Sequence, residues 1–303
     1  MRSIFKAFSI FAAAVCMISC GSKEEPVKDP VDDGKEETQK PEDKPAPKKF
    51  NIKVMSFNIK YPDPQETGEK HWDNRKDAIV TMLKTKKVDI VGFQECYISQ
   101  RTYLLSQLPN YDAYGLVRNN GKETGSGETM SIIWNKDKLE KVDCGTFWLS
   151  ETPDTPSKGW GAGNYRDCTW ILFKEKASGR MFYHFNTHLD HAVAKAQTEG
   201  AKLIRSRMNT INKDGLPMIL TGDMNVAQDS PVCASFQMDN VRKSTEDTDS
   251  DVTCHGYGSK TQVIDHIFSH GFTAWYFQTV KGPWNGLTYI SDHNPVMAEL
   301  ECK

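Results

Sequence analysis

The sequence of 303 residues contains eight cysteines but no CxxC pair, which excludes the usual spacings of a cysteine-rich zinc cluster. It has little charge of either sign in excess, the formal net charge being −2. Arg2 and Lys6 near the start, and seven lysines against nine acidic residues over 21–49, leave residues 50–303 close to neutral as well. That domain therefore has no overall electrostatic footprint for duplex DNA, although net charge says nothing about a local basic patch. The apolar run Ile10–Ile18 is too short to span a bilayer. No internal repeat of 20–50 residues stands out, which argues against solenoid and propeller architectures. Residues 21–49 contain no aromatic side chain, and Pro26, Pro30, Pro41, Pro45 and Pro47 punctuate a mixed-charge stretch. Such a segment buries too little apolar surface to offset its ordering entropy and is expected to be an extended tether.

What is present divides into three parts. Residues 1–19 have the charged start and short apolar run of an export signal. The run ends at Ser19-Cys20-Gly21, which resembles a bacterial lipoprotein signal with Cys20 as the lipidated first mature residue. The tether, 20–49, opens with Ser22-Lys23-Glu24-Glu25, similar to the acidic tract that sends some lipoproteins to the outer face of the outer membrane; a periplasm-facing anchor is the alternative. Residues 50–303 form the remaining domain. Its six cysteines (Cys96, Cys144, Cys168, Cys233, Cys254 and Cys302) are enough for three disulfides in an exported protein, or for none if they are buried thiols.

Within that domain, hydrophobic spacing alternates between periods of 2 and 3.6. Phe50–Lys60 places Ile52, Val54, Ser56 and Asn58 on one side and Lys53, Met55, Phe57 and Ile59 on the other, as a strand does. Helical spacing follows over 73–84 and 100–108, and the longest helical pattern covers 191–211. Strand-like runs cover 88–93, 111–117, 130–134, 141–149, 168–173, 181–186, 218–220, 263–269, 272–279 and 295–300. Periodicity alone supports a mixed α/β fold. The predominance of strands suggests two mixed sheets packed face to face with helices outside, a four-layer α/β/β/α sandwich.

Polar residues fall in a recurrent place. Apolar runs end at Asn58, at Glu95, at Thr187-His188-Leu189-Asp190, at Asp223-Met224-Asn225, at Asp265-His266 and at Ser291-Asp292-His293. Any one of these suits a turn or a cap. Their recurrence at strand ends suggests side chains delivered to one sheet edge. Asp223 and Asn225, two apart, would leave an extended strand on one face.

The ordered set Ser56-Phe57-Asn58, Gln94-Glu95, Tyr114-Gly115, Thr187-His188-Leu189-Asp190, Gly222-Asp223-Met224-Asn225, Ile264-Asp265-His266 and Ser291-Asp292-His293 resembles the endonuclease/exonuclease/phosphatase superfamily of metal-dependent phosphoesterases. Thr146–Pro153 and Cys168-Thr169-Trp170 are similar to a bacterial branch of it, whereas Ala192-Val193-Ala194 replace the arginine and acidic residues that branch carries after the His188 motif. The resemblance implies hydrolysis of a phosphodiester or phosphomonoester by activated water. One or two Mg²⁺ or Mn²⁺ ions would be held by Glu95 with Asn58 and Asp292, the hard-oxygen ligands such ions take. Asp223 with Asn225 would orient and deprotonate the water or hold the second ion, and Asp265 would orient His293. His293, His188 and Asn225 would contact phosphate oxygens, with Tyr114 tightening that shell. Arg118 and Arg166 would be outer substrate contacts. Nucleic acid, phospholipid and sugar or inositol phosphates are the implied substrate classes, with Trp148, Trp160, Trp275 and Trp284 as a conceivable apolar entrance. A monomer tethered to the membrane through Cys20 is expected; a catalytically idle binding module is the rival.

Overall fold

The structure, a computed structural model, describes residues 48–303; the signal 1–19, the lipidated Cys20 and the tether up to residue 47 lie outside the described residues. In chain order the elements are β1 (Asn51–Asn58), α1 (Trp72–Lys86), β2 (Ile90–Gln94), β3 (Cys96–Tyr97), α2 (Ile98–Gln107), β4 (Tyr111–Tyr114), β5 (Glu128–Thr129), β6 (Ile132–Asn135) and β7 (Leu139–Trp148). They continue with β8 (Asp167–Glu175), β9 (Met181–His188), α3 (Ala194–Ile211), β10 (Met218–Asp223), α4 (Pro231–Ala234), β11 (Asp239–Asn240), β12 (Asp265–His270), β13 (Phe272–Thr279) and β14 (Val296–Cys302). Most of the spacing-based elements recur with ends shifted by a few residues. The helix expected from residue 191 begins at Ala194, and the strand expected over 130–134 is realised as β6, which starts two residues later at Ile132.

Two six-stranded sheets carry the fold, ordered β13-β14-β1-β2-β6-β4 and β11-β12-β10-β9-β8-β7. The alternation along β1 is realised. Ile52 and Val54 face the core between the sheets, while Met55 and Phe57 face the layer under α1 and α2. Leu220 packs under α3 with Ile204 and Met208, whereas its neighbour Ile219 faces the inter-sheet core. This is the four-layer sandwich expected from sequence. Among the described residues all six cysteines are unpaired. They pack as small apolar groups, and burial pushes the Cys96 and Cys233 thiols up to about 12.

Topology sends the functional ends to one edge. In each sheet a parallel pair is joined through a helix: β1 to β2 through α1, and β9 to β10 through α3. The C-terminal ends of these four strands bring Asn58, Glu95, His188 and Asp223 out side by side. β12 and β14 run antiparallel to β10 and β1, so their starts lie at that same edge. Asp265 is registered opposite Asp223, and the Asp292-His293 loop precedes β14 there.

Just beneath that edge the sheets are joined by buried hydrogen bonds rather than by apolar contact. Gln94 Nε2 donates to Asn186 Oδ1 (2.7 Å), and Asn186 Nδ2 donates to the carbonyl of Phe93 (2.7 Å). Thr221 Oγ1 lies 3.0 Å from both Asn186 Oδ1 and His184 Nε2, and burial pushes His184 down to about 3, so it joins the seam neutral. Gly92 leaves the room this seam occupies. A Cβ there would stand 2.1 Å from Thr221 Oγ1 and 2.5 Å from Asn186 Oδ1. Gly92→Ala is expected to lower the unfolding free energy by roughly 1–3 kcal/mol, as overpacking does. Chemical denaturation checks this, and an unchanged midpoint would show that the seam yields freely.

Candidate active site

The strand ends border a cleft of about 430 Å³. At its floor the Asp223 carboxylate is buried between the two sheets. Its Oδ2 accepts a hydrogen bond from Asn58 Nδ2 (3.1 Å) and lies 3.5 Å from His188 Nε2 and 3.9 Å from His293 Nε2. Its Oδ1 accepts the backbone N–H of Asn225 (3.0 Å). Burial, with the negative charge of Asp265 added, pushes the Asp223 carboxyl up to about 7 against the opposing pull of His293 and Asn58.

His293 Nδ1 and Asp265 Oδ2 are 2.8 Å apart. Asp265 is held in turn by its own N–H, which donates to Thr253 Oγ1 (3.1 Å). Burial alone would lower the His293 pKa, but the Asp265 carboxylate and its hydrogen bond outweigh it and hold the imidazolium well above the usual histidine range. His188 behaves oppositely. Burial, reinforced by the charges of Arg166 and Arg118, keeps it well below that range and therefore neutral. Two histidines in one cleft thus present one cationic and one neutral donor.

Glu95 and Asp292 line the same cleft on the side of the first sheet. Glu95 Oε1 accepts Asn58 Nδ2 (3.1 Å), so one amide bridges Glu95 and Asp223. Asn58 Oδ1 accepts the backbone N–H of Lys60 (3.1 Å). Burial would lower the Lys60 pKa, yet Glu95 and then Asp292 raise it. The two carboxylates therefore concentrate negative potential where a cation is already drawn, and their hard oxygens fit Mg²⁺ or Mn²⁺. Asp223, Asp265 and His293 also bring one ligand-type atom each within 4.8 Å of one another, a second group able to hold an ion.

Of the residues expected from sequence, Glu95, Asp223, Asn225, His188, Asp292, His293, Arg118 and Arg166 line this cleft; Asn58 and Asp265 stand directly behind it. Tyr114 does not reach it. It ends the edge strand β4 and faces β7, with Lys141 Nζ 5.5 Å from its ring centre and its hydroxyl near Cys144 and Thr146. None of the four tryptophans lines the cleft. Trp148 is buried with its indole N–H donated to the Arg118 carbonyl (2.6 Å), Trp160 and Trp284 pack against the helix-side cores, and Trp275 lies exposed on β13. Asn225 shares the cleft with Asp223, but through a left-handed turn (φ 51°) rather than strand alternation, and its Nδ2 is given to the Leu189 carbonyl (3.0 Å). Lys60, Glu128 and His191 line the cleft without having been singled out from sequence.

The sequence profile described as Endonuclease/Exonuclease/phosphatase family matches residues 55–293. An uncharacterized protein of Acanthamoeba polyphaga mimivirus is 34% identical over 257 residues, 76% of this chain and 92% of the viral one. A solved endonuclease/exonuclease/phosphatase family protein of Bacteroides thetaiotaomicron shares 32% identity at a TM-score of 0.79, over 84% of this chain and 99% of its own. A mannosyl-6-phosphatase of the same organism shares 33% identity at a TM-score of 0.75, over 82% of this chain and 99% of its own. With the profile spanning every strand-end residue from Asn58 to His293, the chain belongs to the endonuclease/exonuclease/phosphatase family.

Proposed function

We propose that the protein is a metal-dependent phosphoesterase that hydrolyses its substrate by in-line attack of water. The observation that carries this reading is the single cleft in which Glu95, Asp223, His188, Asp292 and His293 converge from distant segments. Glu95 and Asp292, with Asn58 beside them, would hold Mg²⁺ or Mn²⁺, which when bound polarises the phosphoryl group and offsets charge on the leaving oxygen. His293 Nδ1 is committed to Asp265, so this pair is assigned to binding the phosphate and not to a second ion.

The roles of the protein groups follow from their positions. The phosphate sits between His188 and His293, each of which offers a nitrogen toward Asp223. His293, held cationic by Asp265, donates to a non-bridging oxygen as negative charge builds there; neutral His188 donates to another. Asp223 takes a proton from the attacking water while the new P–O bond forms and the ester P–O bond breaks. That proton reaches the departing alkoxide through water in the open cleft, giving alcohol and inorganic phosphate or a monoester. Asn58 fixes the Asp223 carboxylate, and the backbone N–H of Asn225 fixes its other oxygen.

The polar lining favours a soluble phosphate ester over a lipid, because Ile264 and Cys254 are the apolar side chains on its surface. One of these relatives is a mannosyl-6-phosphatase, which puts sugar phosphates first among substrates to try. We also place the protein at the outer membrane through lipid on Cys20, on the strength of Ser19-Cys20-Gly21 and the tether that follows.

On a panel of sugar phosphates, inositol phosphates, DNA, RNA and sphingomyelin with Mg²⁺ or Mn²⁺, at least one substrate should turn over, with Asp223→Ala as the inactive control. His293→Ala and Asp265→Ala should each lower kcat by roughly 10²–10⁴-fold with an unchanged circular-dichroism spectrum. Excess EDTA should abolish turnover until the ion is restored. Full activity in EDTA, or wild-type turnover in either variant, would contradict the mechanism. Cys20→Ser should release the protein from the membrane fraction, and retention there would contradict the anchor.

A further inference from the structure

One wall of the cleft has no part in the chemistry above. Arg118, Glu128, Arg166 and His191 line it next to His188, whose neutrality burial enforces with the help of the two arginines. Resting on the phosphoesterase reading, we infer that this wall binds hydroxyl groups of the alcohol portion of the substrate, so that the enzyme takes phosphomonoesters of sugars or related polyols.

The first argument is charge. Two arginines beside a phosphate site suggest a second anion subsite, but neither charge is free. Arg118 Nη2 lies 2.7 Å from Glu128 Oε1, and Arg166 Nε lies 3.7 Å from Asp190 Oδ2. Behind them burial pushes the Asp167 carboxyl up to about 7, so it is only partly ionised at neutral pH. The wall is close to neutral, and a second phosphate would meet the Glu128 carboxylate as well as the guanidinium groups.

The second argument is hydrogen bonding. Arg118 Nη1 is a buried donor without a hydrogen-bond partner, and Glu128 Oε2 is a buried acceptor without one. Native proteins rarely leave such groups unpaired. An unsatisfied donor alone would suit an anion. An unsatisfied donor beside an unsatisfied carboxylate oxygen suits a hydroxyl, which accepts from one and donates to the other. His191 adds a further donor. Arg166 Nη2 lies 3.1 Å from His191 Nδ1, and a guanidinium can only donate, so Nδ1 is the acceptor and the ring proton sits on Nε2. His191 is exposed at the cleft, where that N–H is open to a ligand.

The third argument concerns the competing class. A nucleobase is commonly held by stacking on aromatic side chains. Tyr61 is the one large aromatic residue lining the cleft, where its backbone N–H donates to Glu95 Oε2 (3.4 Å), and a single ring offers no pair of faces between which to hold a base. The cleft volume of about 430 Å³ is near the small end of ligand pockets, roughly 300–1,000 Å³, as a phosphorylated monosaccharide requires.

The test compares hexose 6-phosphates with their monodeoxy analogues and with p-nitrophenyl phosphate, by kcat/KM in the native protein with Mg²⁺ or Mn²⁺. A site built to bind a hydroxyl rejects the analogue lacking it strongly. At least one monodeoxy sugar phosphate should therefore lose tenfold or more against its parent. In Glu128→Gln, or in His191→Ala should the buried substitution not fold, that penalty should shrink by fivefold or more. Deoxy penalties all below tenfold, or penalties that survive in both variants with less than a fivefold change, would overturn the inference, as would turnover of p-nitrophenyl phosphate or diesters with none of hexose phosphates. No turnover of any phosphate ester would instead refute the phosphoesterase reading on which it rests.

Discussion

The arrangement depends on one buried carboxylate. Asp223 Oδ2 sits where the two sheets meet and is shared between Asn58 from the first sheet and His188 and His293 on either side. A lone carboxylate in that place would cost several kcal/mol of lost hydration. Its neighbours offset the cost only if β1, β9, β10 and the loop before β14 end at the same level. The parallel pairs β1–β2 and β9–β10 meet this condition, and the register of β12 adds Asp265 at the same height. Chemistry and sheet alignment are thus two consequences of one constraint. The hydrogen-bonded seam of Gln94, Asn186 and Thr221 directly below keeps the two sheets from sliding past one another.

Around that carboxylate the backbone is held in uncommon conformations. Among the described residues, Lys60, Glu95 and Asn225 are three of the eight non-glycine residues with positive φ, and all three line the cleft. Each conformation costs free energy that surrounding bonds must offset. For Lys60 the restraint is visible. The buried Arg75 guanidinium donates to the carbonyls of Ile59, Lys60 (2.7 Å) and Ile290 (3.2 Å), clamping the end of β1 to the segment just before Asp292. One buried side chain thus ties the strand end that carries Asn58 to the loop that carries Asp292.

How much of this the sequence disclosed depended on the kind of signal. Asn58, Glu95, His188, Asp223, Asp265 and His293 were legible because each terminates or interrupts an apolar run, and the fold turns every such interruption toward one edge. Lys60, Glu128 and His191 were not, because Lys60 and His191 sit beyond strand ends and Glu128 sits in a two-residue strand too short to show a period. Their positions are set by a left-handed residue, by the glycine-rich loop before β5 and by the Arg166 contact. Tyr114 was misplaced for a related reason. Its strand-end position matched the pattern, but β4 is an edge strand two places from β2, and the ring turns to β7 instead. Three of the four tryptophans pack against the cores, the commoner role for such rings, and bulk alone does not reveal which side of a sheet a ring fills. The six cysteines left their pairing open, and the structure resolves them as unpaired packing groups.

The division of labour is physical. Rigid strand ends carry the groups that must be aligned to fractions of an ångström, and the loops after β4 and β9 and before β8 carry the wall that meets the variable part of a ligand. The central claim is that a divalent ion is held where Glu95 and Asp292 face the phosphate site. Anomalous diffraction from crystals soaked with Mn²⁺ tests it most directly. The account predicts a peak bonded to the Glu95 and Asp292 carboxylates that disappears in Glu95→Gln. A peak bonded elsewhere, or none at saturating Mn²⁺, would contradict it.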